Sequence, residues 1–164
     1  MASGDTLLVL GPQQGQPPAT NYATLDSRNN QLVLDFDDTT EESTYFSGVL
    51  PRNYGGGGIT ATLWWMATSA TSGDVKAGVS FERHQDSVDD LDADGFGSEQ
   101  TGTITAPATS GTTKAMAIAS TNGAQIDSIA AGETFRLKVA RKAADGADTM
   151  TGDAELLAVE LKET

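Results

Sequence analysis

The chain of 164 residues contains no cysteine, one histidine and few aromatic side chains, which make up 6% of the sequence. The absence of cysteine excludes disulfides, thiolate zinc sites and a cysteine nucleophile. Long apolar runs are also absent, so we expect no segment that spans a bilayer and no membrane partner. We expect no signal peptide either, because the N-terminus lacks a basic region followed by a long apolar one.

Basic residues are scarce: ten Lys and Arg oppose 23 Asp and Glu, which gives a formal net charge of −13. Phosphate backbones are bound by Lys and Arg, so the composition predicts no nucleic-acid partner. One basic cluster is present, at Arg136, Lys138, Arg141 and Lys142. Because three of these positions alternate with apolar residues, we interpret the cluster as the solvated face of a strand.

Short segments in which apolar and polar residues alternate recur along the chain, and no segment keeps a helical period for three turns. The clearest is Glu133–Arg141, where Phe135, Leu137 and Val139 would face inward. About eight such segments predict an all-β, single-domain, two-sheet β-sandwich of the jelly-roll type. We expect an N-terminal arm with a short strand over residues 1–20 and the sandwich over 21–164.

Both tryptophans lie in the segment Ile59–Arg83, which contains two alternating runs joined by the turn-like sequence SATSGD. This arrangement is typical of a β-hairpin, and we predict that the hairpin is the centre of the fold. Trp65 and Phe81 would point into the sandwich core. Trp64 would point to the opposite face of its strand.

Three aromatic residues are candidates for contact with a ligand or with another subunit. Trp64 is the first, because an exposed indole can stack on a sugar ring, although paired aromatics on a strand are more often packing residues. Tyr45 and Tyr54 are further candidates. The sequence leaves open whether Trp64 lies on an open binding face or in a buried subunit contact.

The segment Asp90–Gly95 matches the first half of a calcium-binding loop, D-x-D-x-D-G. The twelfth position, where such loops need an acidic residue, is Thr101. We therefore predict an exposed acidic loop without a metal, with Asp90, Asp92 and Asp94 as weak candidate ligands.

The sequence predicts no catalytic residue and no cofactor. His84 has Glu82 and Asp86 two residues away on either side, but no serine nucleophile motif accompanies it, so we interpret it as a surface histidine. The run Gly55–Gly58 lacks the lysine and the following helix of a phosphate-binding loop, so we interpret it as a turn. A glycan-degrading enzyme would need a pair of carboxylates, which this acidic sequence cannot single out.

Several segments resemble a family of small virion proteins of tailed phages. The most distinctive are PPATNYATLD, LDFD, PRNYGGGGI, and AAGETFRLKVAR followed by TGDAELLAVEL. The resemblance extends over nearly the whole chain. It implies a jelly-roll-like β-sandwich that serves either as a capsid decoration (cement) protein or as the head domain of a fibre, usually as a trimer.

On this resemblance we expect a structural protein on the outer capsid surface of a virion. It would be a homotrimer that stabilises the icosahedral head by binding between capsomers of the major capsid protein. The alternative is a phage fibre head or a receptor- or glycan-binding β-sandwich module. Loss of glycan binding on replacing Trp64 would favour the alternative.

Overall fold

The computed structural model describes residues 2–164 and contains ten β-strands. The strands are β1 (Thr6–Leu10), β2 (Thr24–Arg28), β3 (Gln31–Phe36), β4 (Ser43–Val49), β5 (Ile59–Ala67), β6 (Asp74–His84), β7 (Gln100–Thr105), β8 (Lys114–Ser120), β9 (Thr134–Arg141) and β10 (Ala154–Glu163). Two short 3-10 turns, Pro12–Gln14 and Ala124–Ile126, complete the regular structure of this part of the chain. Within it, neither helical turn has the length or the apolar character needed to cross a membrane.

The strands form two antiparallel sheets. Sheet A has the order β2-β3-β10-β5-β8, and β1 pairs with the part of β10 that β3 leaves free. Sheet B has the order β4-β9-β6-β7. The inward side chains of both sheets form one hydrophobic core, so the predicted all-β, jelly-roll-like sandwich is confirmed.

The predicted hairpin in Ile59–Arg83 is wrong, because β5 and β6 belong to different sheets. β5 pairs with β8 and β10 in sheet A, whereas β6 pairs with β7 and β9 in sheet B. The connection over 68–73 therefore crosses from one sheet to the other. Alternation identifies the buried face of a strand but not its partner. The faces were predicted correctly, since Trp65 and Phe81 both lie in the core.

The interpretation of the basic cluster is wrong for Arg141, which is 2% exposed. Arg141 lies on β9 with the same alternation as Phe135, so it points inward. Its guanidinium forms two hydrogen bonds with the buried Asp148, over 3.1 and 2.9 Å, and donates to the backbone oxygens of Met150 and Gly152. These hydrogen bonds offset the free-energy cost of removing the Arg141 charge from water.

The segment 1–20 contributes β1 to sheet A, where Leu10 pairs with Val159. The strand β2 has no counterpart in the sequence prediction. It is an edge strand that pairs with β3, and most of its residues are exposed, so it lacks the apolar alternation that marks a half-buried strand.

Candidate functional site

Trp64 lies on the outer face of sheet A, and its side chain is 38% exposed. Its strand neighbours in register are Ala115 on β8 and Ala158 on β10. Because these neighbours are small, the indole stands above the surrounding sheet surface. The structure thus places Trp64 on an open face of this chain.

Glu160, an outward residue of β10, lies near the Trp64 indole, whose N–H makes a minor contribution to lowering the pKa of the Glu160 carboxyl. Glu160 accepts a hydrogen bond from the Thr6 hydroxyl over 2.6 Å and lies 3.3 Å from the Lys162 ammonium. These contacts, the Thr6 bond most of all, hold the pKa of Glu160 below its usual value.

Besides the charged Glu160 and Lys162, several small or uncharged side chains lie on the same face as Trp64. Ala117 and Ala119 on β8 are exposed, and Thr62 precedes Trp64 on the outer face of β5. On β1, Val9 is paired with Glu160 and is 61% exposed. On this face, Trp64 is therefore an exposed aromatic residue next to small exposed alanines.

The outer face of sheet B, in contrast, is covered by the segment 85–99. Phe96 of this segment stacks on Tyr45, with ring centroids 5.6 Å apart. The guanidinium of Arg136 lies over both rings, at 5.5 and 5.0 Å from their centroids. Tyr45 is thus engaged in a contact within the chain.

Close backbone packing holds this covering segment against sheet B. The Gly97 N–H donates to the Phe81 carbonyl over 2.7 Å. A Cβ on Gly97 would lie 2.6 Å from the Ala124 carbonyl oxygen, and a Cβ on Gly78 would lie 2.6 Å from the Glu99 carboxylate. Under this cover the Glu82 side chain is fully buried.

His84 lies at the margin of the covered face. Its Nε2 is 3.3 Å from the Glu82 Oε1, and its side chain is partly exposed. Glu82 is engaged with Arg136, whose Nε donates to Glu82 Oε2 over 2.6 Å. The Glu82 carboxylate therefore serves an ion pair within the fold.

Tyr54 lies at one end of the sandwich and is 8% exposed. Its hydroxyl accepts a hydrogen bond from the Gly58 N–H over 2.9 Å. Burial raises the pKa of this hydroxyl above its usual value, and the charge of Glu163 adds to the effect. The ring of Tyr54 forms part of the wall of a surface pocket that includes Gly55 and Gly56.

The carboxylates of the acidic loop hydrogen-bond to the loop's own backbone. Asp94 Oδ2 accepts from the Asp90 N–H over 2.5 Å, and Asp90 Oδ1 accepts from the Asp92 N–H over 3.0 Å. Such contacts are typical of Asx turns. Within residues 2–164, these three aspartates do not form a group whose ligand atoms come together.

A different trio, Asp37, Asp38 and Asp153, brings three carboxylate oxygens within 4.8 Å of one another. The sequence analysis missed it because the chain returns to Asp37 and Asp38 only after β9. Asp37 Oδ1 already accepts hydrogen bonds from Thr39 and Thr40, and Asp38 accepts one from the Gly152 N–H. Calcium takes about six to eight oxygen ligands, so these three groups alone would not complete such a site.

Several solved structures with similar folds are carbohydrate-binding modules. A CBM35 module from Cellvibrio japonicus matches with a TM-score of 0.52 and 9% identity, over 95% of this chain and 96% of the module. The CBM22-2 xylan-binding domain from Paenibacillus barcinonensis also matches at 0.52, with 10% identity, over 96% of this chain and 99% of the domain. A family 11 module from Clostridium thermocellum was solved with a β-1,3-1,4-mixed-linked tetrasaccharide. It matches with a TM-score of 0.50 and 10% identity, over 100% of this chain and 98% of the module.

No protein-family model and no curated protein matches the sequence. The prediction of a capsid decoration protein is wrong by this comparison, because the structures that share the fold are carbohydrate-binding modules and not capsid proteins. At identities of 9 to 10%, the likeness itself establishes the fold.

Proposed function

We propose that this protein is a non-catalytic glycan-binding β-sandwich and that its ligand stacks on Trp64. The observation that carries the proposal is the exposed indole, which is flanked by alanines on the outer face of sheet A. The face of an aromatic ring is negative, and it attracts the polarised C–H groups on the flat side of a sugar ring. Trp64 supplies such a ring.

The charge of the molecule favours an uncharged glycan. With a net charge of −13, the protein repels sulfated or carboxylated polysaccharides at long range. Near Trp64, the Glu160 carboxylate is balanced by Lys162. These two side chains offer hydrogen-bonding groups for sugar hydroxyls beside the indole.

The similar folds supply the first ligands to test. One neighbour is described as a xylan-binding domain and another was solved with a mixed-linked β-glucan fragment. In the tailed-phage setting that the sequence resemblance implies, the proposal corresponds to a receptor- or glycan-binding fibre head. Virion localisation and a homotrimer stay predictions.

The proposal is tested by measuring binding to xylan, mixed-linked β-glucan and a glycan array. Truncation of a central aromatic contact typically costs about 2 kcal/mol, so Trp64→Ala should weaken binding roughly 30-fold. Tyr22→Ala is the matched control, because Tyr22 is an aromatic residue with 49% exposure at a different part of the surface. Equal binding by the two variants would contradict the proposal.

The other interpretation of Trp64 is a contact between subunits, and sedimentation velocity distinguishes it. Under the proposal, Trp64→Ala keeps the oligomeric state of the wild-type protein and loses the glycan. If the wild-type protein bound no glycan and Trp64→Ala dissociated the oligomer into monomers, Trp64 would belong to a subunit interface instead.

A further inference from the structure

A concave site, separate from Trp64, lies at one end of the sandwich. It forms where the loop between β4 and β5 meets the loop between β8 and β9, and it has a volume of about 350 Å³. This volume falls in the usual range for small-molecule pockets, roughly 300–1,000 Å³. Tyr54, Gly55 and Gly56 line one side, and Asn122, Ser128 and Ile129 line the other.

The pocket combines an apolar base with polar groups that have no hydrogen-bond partner among the described residues. Ile129 and Tyr54 are buried and supply the base. Among the hydrogen bonds of residues 2–164, none engages the N–H groups of Gly55 and Gly56 or the Ser128 hydroxyl. No charged side chain of the described chain lines the pocket.

The loop that carries these free N–H groups is fixed at its far end. Gly58 has φ +96° and its Cβ would lie 2.6 Å from the Ser120 carbonyl oxygen, so a larger residue would not fit there. Its N–H is bound to the Tyr54 hydroxyl. The two free amides therefore belong to a short loop that is held next to the ring of Tyr54.

We propose that this pocket binds one uncharged pyranose ring, such as the terminal sugar of a glycan chain. The apolar base would contact the C–H side of the ring, while the Gly55 and Gly56 amides, Ser128 and Asn122 would bond to its hydroxyl oxygens. Trp64 follows Gly58 along β5, and at about 3.3 Å per residue of strand the two residues are roughly 20 Å apart. The class of ligand rests on the proposed function, but no residue is shared with the Trp64 site.

The test is a titration of ¹⁵N-labelled protein with D-glucose, D-xylose and D-mannose, followed by two-dimensional ¹H–¹⁵N NMR. We expect at least one of these sugars to shift the amide resonances of Gly55 and Gly56 in a saturable way. Ala131→Tyr places a ring in the pocket at an exposed position, and it should abolish these shifts. Ala144→Tyr is the matched control, since Ala144 is exposed in the loop beyond the opposite end of β9.

Trp64→Ala separates this proposal from the previous one. The shifts at Gly55 and Gly56 should persist in that variant even though polysaccharide binding is lost. Shifts confined to the Trp64 indole would overturn the pocket and leave the proposed function intact. Shifts at Gly55 and Gly56 that survive Ala131→Tyr, or no shift there with any of the three sugars, would also overturn the pocket. Polysaccharide binding that does not depend on Trp64 would contradict the Trp64 site alone.

Discussion

Glu82 and Arg136 face each other across the neighbouring strands β6 and β9, joined by a hydrogen bond of 2.6 Å from Nε to Oε2. Glu82 has no exposed side-chain surface, so removal of Arg136 would leave a buried carboxylate without its main partner. Such a loss typically costs about 3–5 kcal/mol. We predict that Arg136→Met lowers the free energy of unfolding by about 3 kcal/mol, measured by urea denaturation.

Two further variants control this prediction. Lys138→Met changes the next outward residue of β9, and we expect a change within about 0.5 kcal/mol. Adding Glu82→Gln to Arg136→Met should restore much of the lost stability, because the buried charge is removed. If Arg136→Met cost no more than Lys138→Met, the buried pair would not contribute as described.

Arg141 offers a second prediction, because its guanidinium binds the buried Asp148 through two nitrogen atoms. Lysine has one ammonium group and cannot reproduce this fork. We expect Arg141→Lys to lower the free energy of unfolding by about 3 kcal/mol. Lys142→Arg, at the next position, alters a partly exposed ion pair with Glu41. This variant should change the free energy of unfolding by less than about 1 kcal/mol. Equal unfolding midpoints for the two variants would contradict the prediction.

The carboxyl of Asp35 predicts a specific dependence of stability on pH. Burial, followed by the charges of Asp153 and Glu155, raises its pKa from 3.8 to about 6. The folded state therefore holds a proton that the unfolded state releases, so stability falls as the pH rises from about 4 to about 6. Asp35→Asn should remove this loss and be more stable than wild type above pH 6, by about 1 kcal/mol after allowance for solvent screening.

Thermal unfolding followed by circular dichroism between about pH 3.5 and about pH 7.5 tests this prediction. The advantage of Asp35→Asn should disappear at the acidic end, where the wild-type carboxyl is protonated in both states. Asp92→Asn, in the exposed loop, is the control for the change in net charge. A gain in stability that was the same at all pH values would speak against Asp35 as the titrating group.

The two tryptophans give a spectroscopic test of the proposed glycan site. Trp64 is 38% exposed and Trp65 is 3% exposed, so Trp64 alone can contact a ligand directly. We predict that mixed-linked β-glucan changes the wild-type fluorescence and protects it from acrylamide quenching. In Trp64→Phe the remaining indole is buried, and the glycan should leave its emission unchanged. A ligand-dependent change that persisted in Trp64→Phe would place the contact elsewhere.

The buried faces of the strands could be predicted from the sequence, because alternation depends only on the local period of a strand. Trp65, Phe81 and Phe135 all lie in the core as expected. Strand partners could not be predicted, because β5 pairs with β10 across most of the chain. The register shift between Leu156 and Ala158 was also hidden, since a bulge changes which side chains face inward.

For the candidate site, too, some features could be predicted from the sequence and others could not. The position of Trp64 on the face opposite Trp65 follows from alternation, but its exposure depends on whether anything covers that face. Sheet B carries a cover, the segment 85–99, which no local pattern distinguishes from an ordinary acidic loop. The hydrogen bond between Thr6 and Glu160 beside Trp64 joins residues that lie 154 positions apart in the sequence.

The central position of β10 in sheet A bears on how the protein folds during synthesis. β10 pairs with β5, with β3 and with β1, so sheet A cannot close before residues 154–163 have left the ribosome. Until then β5 has an unpaired edge next to both tryptophans, which is a hazard for aggregation. Pairing over such long sequence separations is slow. The Trp64 surface is therefore completed late, and its assembly depends on keeping the nascent chain soluble until β10 arrives.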